Sequence, residues 1–157
     1  MAISDSDSNA DTLSGRLLAS SVFEPFVGDC TKLVRSEVKR RGITLRTAFG
    51  VVEKIKPNIL ERTVREQMPD LLHELEPLYS EHRANNADAT GFGAHLNAHD
   101  VQVADAILHV ADQRAESVQN GTIRSAYGRV RGRAKREIVS AVPPLASIIE
   151  RHLKSSA

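Results

Sequence analysis

The sequence predicts an all-α fold, a single irregular bundle of about seven to nine helices, several of them short and bounded by proline. Three observations carry this. Apolar residues recur at steps of three and four along nearly the whole chain, no stretch alternates apolar and polar residues as a half-buried strand would, and proline, glycine and capping residues stand between the periodic runs. At 157 residues and 41% hydrophobic side chains, the chain can bury one core without covalent staples.

Residues 1–11 combine Ser, Asp and Asn with little to bury, which predicts a disordered acidic tail ahead of a single helical domain over 12–157. In the first long helix Phe23, Phe26, Val27, Cys30, Leu33, Val34 and Val38 share a face, Pro25 suits the first turn and Gly42 a stop. The next begins at a capping Thr44, carries Leu45, Ala48, Phe49, Val52 and Ile55 on its apolar side, and ends against Pro57. Pro57 and Pro69 then bracket a short helix with Leu60, Val64 and Met68 in register, and Pro77 is expected to kink or divide the helix of Leu71, Leu75, Leu78 and Tyr79. Turn formers at 85–95 predict the longest loop. Val101, Ala104, Leu108, Ala111 and Ala115 form a regular stripe ended by Asn120 and Gly121, after which Thr122 caps a helix with Ile123, Tyr127, Val130, Ala134 and Ile138 along one side. Pro143 and Pro144 are expected to interrupt it before a closing helix with Leu145, Ile148, Ile149 and Leu153.

Charge is unevenly spread. The formal net charge is +1, yet between Thr122 and Arg136 stand six basic residues and no acid, namely Arg124, Arg129, Arg131, Arg133, Lys135 and Arg136. A second basic knot holds Lys39, Arg40, Arg41 and Arg46, and acid gathers as Glu66, Asp70, Glu74, Glu76 and Glu81. Runs of like charge on a helix usually mark its solvated face, with Arg and Lys stems covering apolar surface. The function this pattern favours is a non-enzymatic interaction protein that docks through charge-complementary helical faces, with a protein partner or a second copy of itself on the other side; the acidic segment at 66–81 is one candidate counterpart. The alternative is a nucleic-acid-associated protein using Arg124, Arg129, Arg131, Arg133, Lys135 and Arg136, assisted by Lys39, Arg40 and Arg41. Near-neutral total charge and a single aromatic within the basic run, Tyr127, weigh against it. Residues 36–55 also have the outline of a helix-turn-helix reader, but its second helix offers little polar surface to DNA, so a buried hairpin is expected.

No catalytic constellation emerges, and no enzyme, cofactor or metal is expected. The only cysteine, Cys30, excludes an intramolecular disulfide, sits on an apolar stripe and suits a reducing cytoplasm. The start lacks a basic region followed by an apolar run, and no apolar stretch is long enough to span a membrane. "TGFGAH" at 90–95 has two glycines without the rest of a phosphate-binding fingerprint. His95 and His99 stand four apart, as zinc-binding histidines on one helical face do, but no glutamate lies between them, so surface or capping histidines are the expected reading; His73, Glu74 and His82 are no better placed.

Three stretches carry a resemblance: the "KIKP" helix end at Lys54 to Pro57, the Leu-Glu-Pro-Leu-Tyr run at 75–79, and the closing Pro-Leu-Ala that leads into Arg-His-Leu. On these the chain resembles a family of small bacterial proteins catalogued as a domain of unknown function. The resemblance implies a compact all-helical, bacterial cytoplasmic protein and brings no catalytic or binding residues with it.

Overall fold

Seven helices and no strand make up the computed structural model, which describes residues 10–40, 43–86 and 88–156. They are α1 (Leu13–Leu17), α2 (Phe23–Arg40), α3 (Ile43–Ile55), α4 (Ile59–Asn85), α5 (Phe92–Ala98), α6 (Asp100–Ser117) and α7 (Gly121–Ser155). The all-α expectation holds, with the helix count at the low end of the expected range. None of the helices is long and apolar enough to cross a membrane. Residues 1–9 of the expected tail, and Arg41 and Gly42, lie outside the described residues.

The count is low because the prolines do not stop the helices. Pro69 and Pro77 lie inside one α4 of 27 residues, and Pro143 and Pro144 inside one α7 of 35, so neither expected division occurs. All four prolines are exposed, and three of the four carbonyls they leave without an amide partner belong to exposed residues, Arg65, His73 and Ser140. Those groups belong to the solvent side of each helix, and the buried side continues past the prolines. On α4 that side is Met68, Leu72, Leu75, Leu78 and Tyr79; on α7 it includes Val142, Ala146, Ile149 and Leu153. Burying each such side chain contributes about 1.5–3 kcal/mol, which matches or exceeds the cost of about 3 kcal/mol for one interior proline once two of them are buried.

One apolar cluster joins α1, α2, α4, α5, α6 and α7, with Leu13, Leu17, Phe26, Leu72, Leu75, Phe92, Val103 and Leu153 essentially inaccessible. α3 departs from the expected buried hairpin. None of its described side chains is fully buried, and Val51 and Ile55 are 37% and 38% exposed. Thr44, expected as its cap, is a residue whose side chain lies outside the described ones.

Helix ends are fixed by side chains from distant elements. Glu76 of α4 accepts from the Leu13 amide at the start of α1, and Arg16 donates to Tyr79 Oη at 3.0 Å and to the Leu153 carbonyl at 2.8 Å, tying α1 to α4 and α7. The expected loop at 85–95 is shorter, because α5 begins at Phe92. There the amides of Gly91 and Gly93 donate to Glu150 Oε1 at 2.8 and 3.1 Å, so a carboxylate from α7 takes two of the orphan donors that open α5. The cap of α7 is Asn120, whose side chain accepts from the amides of Thr122 and Ile123, two residues before the expected Thr122.

Candidate functional site

The basic stretch of α7 divides by direction. Arg131 and Lys135 point at α6: Arg131 forms a two-pronged pair with Asp112 at 2.8 and 3.0 Å, and Lys135 reaches Asp105 at 3.0 Å. The hydroxyl of Tyr127 also donates to Asp112. The Arg131 guanidinium and then the Tyr127 hydroxyl hold the Asp112 carboxyl below the usual carboxylate range, while burial and Asp112 push the Tyr127 phenol up. Tyr127 is thus half-buried and committed to α6, as its place on the apolar stripe implied.

Arg129, Arg133 and Arg136 follow one another at steps of four and three and share the opposite face of α7, all exposed. None of the three forms an ion pair among the described residues. Arg124, also exposed, lies with Asp112, Ala115, Glu116 and Tyr127 around a shallow recess between α6 and α7. Lys39 and Arg40 end another helix, α2, where Arg40 pairs with Glu37 at 3.2 Å; Arg41 lies outside the described residues. Of the nine residues read from sequence as a basic site, the structure therefore groups three as an outward stripe, sets two against α6, and places Arg124 at the edge.

The acidic segment at 66–81 lies on α4, and α6 lies between it and α7. Glu66 reaches Arg114 at 3.4 Å and Glu74 reaches His109 at 3.7 Å, both partners on α6. Glu66, Asp70 and Glu74 stand four apart on one exposed face, with Glu66 still 51% and Glu74 39% exposed, and Asp70 forming no ion pair among the described residues. Within one chain the counter-charge to the basic helix is therefore Asp105 and Asp112, not the 66–81 segment.

A second constellation lies at the far end of α4. His95 on α5, His99 at the α5–α6 elbow and Glu81 of α4 bring one ligand-type atom each within 4.8 Å of the others. His95 Nε2 sits 3.9 Å from Glu81 Oε2, is shielded from solvent, and has no hydrogen-bond partner among the described residues. Burial, and then the neighbouring His99, lower the pKa of His95 and favour the neutral ring. His99 Nδ1 lies 2.8 Å from the carbonyl oxygen of His95.

A family model described as "Family of unknown function (DUF6918)" matches residues 13–153, which takes in α1 to α6 whole and α7 as far as Leu153. The chain belongs to DUF6918. No curated protein and no solved structure matches it.

In this DUF6918 member the remaining candidates are occupied structurally. Cys30 is buried, its thiol pushed up to about 12 by desolvation, which suppresses the thiolate that chemistry would need. The amides of "TGFGAH" that a phosphate would use are bound by Glu150. Sequence reading missed Asp105 and Asp112, and it placed Glu81 in the acidic segment without joining it to the histidines. Asp105 and Asp112 stand seven apart and so share a face of α6, a legible signal; Glu81 lies on a different helix from the histidine pair, and no spacing announces it.

Proposed function

We propose that this DUF6918 protein is a non-enzymatic interaction protein of a reducing, bacterial cytoplasm, and that the arginine stripe of α7 docks on the acidic row of α4 in a second copy. The observation that carries the reading is the exposed, ion-unpaired row Arg129, Arg133 and Arg136. Seven residues of helix rise about 10 Å, and the eight from Glu66 to Glu74 about 12 Å, so three cations and three carboxylates match in length and spacing. Because α6 stands between α4 and α7, the two rows cannot meet within one chain. Two copies meeting face to face would form both contacts at once, as a two-fold dimer requires.

Sedimentation of wild type, an R129E/R133E/R136E variant and an E66K/D70K/E74K variant tests this. Wild type should be dimeric at low salt and shift to monomer at high salt, since exposed pairs are screened. Each variant should be monomeric in either condition. The two variants mixed should regain a dimer through the reversed charges. A wild-type protein that stays monomeric at low salt sinks the reading, and salt-sensitive binding of a labelled duplex by that monomer would put the nucleic-acid alternative in its place.

A further inference from the structure

We propose that Glu81, His95 and His99 bind one divalent transition-metal ion of the zinc class at the junction of α4, α5 and α6. Glu81 comes from α4 and the two histidines, four residues apart, from α5 and its elbow, and their ligand atoms converge within 4.8 Å, close enough that a modest inward shift would set all three on one ion. Glu81 can supply much of that shift because its side chain is 58% exposed, whereas His95 is only 18% exposed.

Each imidazole is prepared for the role in a different way. The carbonyl of His95 can only accept, so the 2.8 Å contact fixes the proton of His99 on Nδ1 and leaves the lone pair on Nε2. Metal-binding histidines are oriented in the same manner, by a hydrogen bond from the nitrogen that does not bind. His95 Nε2 is instead a shielded polar atom without a hydrogen-bond partner among the described residues, aimed toward Glu81, and a metal bond would remove that unsatisfied state.

The neighbours close the site without competing for it. His82 lies 5.6 Å from His95 between ring centroids, but its Nε2 donates to the Thr90 carbonyl and its Nδ1 accepts from Asn86, so neither nitrogen is available. Phe92 stacks on His95 from within the core at 6.3 Å. Two imidazoles and one carboxylate suit zinc and its transition-metal neighbours, whereas calcium and magnesium favour all-oxygen shells. Three protein ligands leave room for water on the exposed Glu81 side. The ion would clip α4 to the α5–α6 elbow, independently of whether α7 docks on a second copy.

The test uses the untagged full chain, stripped with chelator and titrated with zinc chloride by calorimetry, with cobalt chloride as the spectroscopic probe. One zinc per chain is expected, with a visible cobalt absorption and a higher melting temperature in the presence of either ion. Glu81→Gln and His99→Gln should each weaken binding at least about tenfold. His73→Gln and His109→Gln, at exposed histidines outside the cluster, should leave it unchanged, with far-UV spectra showing that all four variants fold. Absence of zinc binding by the folded wild type, or binding that survives both Glu81→Gln and His99→Gln undiminished, overturns the assignment.

Discussion

Gly93 shows how one missing methyl group sets the approach of two helices. A Cβ built there would come within 3.3 Å of the Ala146 carbonyl oxygen and 3.6 Å of Glu150 Cβ, closing the space through which Glu150 reaches the Gly91 and Gly93 amides. The flanking Gly91 has a φ of +87°, a left-handed turn that other residues enter only with strain. Elsewhere glycine in a helix is a weakness worth up to about 1 kcal/mol against alanine. The two situations give opposite predictions. Gly93→Ala should destabilise by about 1 kcal/mol or more, because the obstructing oxygen is backbone within a packed helix and cannot rotate away. Gly128→Ala and Gly132→Ala, exposed on α7 with nothing within 4 Å of the added carbon, should each stabilise by roughly 0.5–1 kcal/mol. Urea denaturation of the three variants decides it: a stabilised Gly93→Ala would mean that α5 and α7 are not held as described.

At the scale of elements, α2 and α7 are joined by a carboxylate clasp. Asp29 Oδ2 accepts from Arg151 Nη2 and from His152 Nε2, both at 2.7 Å, beside Phe26, whose ring meets His152 edge-on. The His152 hydrogen bond foremost, and then Arg151, hold the Asp29 carboxyl below its usual value, against the opposing effect of burial. A carboxylate with its folded pKa below the unfolded one stabilises the fold above the unfolded pKa, about 3.9, and loses that contribution as pH falls through the folded value. Wild type should therefore exceed Asp29→Asn in melting temperature near neutrality, and the gap should close as pH drops below about 4. A gap constant across that range would show that the clasp depends on shape and not on charge. The clasp was beyond sequence reading, because Asp29 and His152 lie at opposite ends of the chain. The helices themselves were legible, since Leu75, Leu78, Ile149 and their neighbours repeat at helical steps. Their division was not: proline's local cost reads as a break, and only the tertiary packing of Met68, Tyr79 and Val142 reveals that the buried faces run past Pro69, Pro77 and Pro143.

Over the whole molecule, α6 acts as an electrostatic spacer. Its Arg114 and His109 face Glu66 and Glu74 of α4, and its carboxylates Asp105 and Asp112 face Lys135 and Arg131 of α7. The basic run was visible in sequence as six residues; its outward half was not, because which cations are spent on α6 depends on helix direction, and α6 runs antiparallel to α7. This arrangement predicts what converts the protein into a duplex binder. Asp105→Asn with Asp112→Asn leaves the α7 cations in place and removes two negative charges, moving the formal net charge from +1 to +3. Arg131 and Lys135, no longer neutralised, then give α7 a second cationic side besides the outward face of Arg129, Arg133 and Arg136, and each additional phosphate contact steepens the dependence of binding on salt. Fluorescence anisotropy with a labelled random duplex should show little binding by wild type and salt-sensitive binding by the double variant. Two carboxylates on α6 would then be what keeps the α7 surface selective for a protein partner. Equal binding by both would mean that Asp105 and Asp112 do not restrain the cations opposite them, and the docking surface would have to be redrawn to include all six.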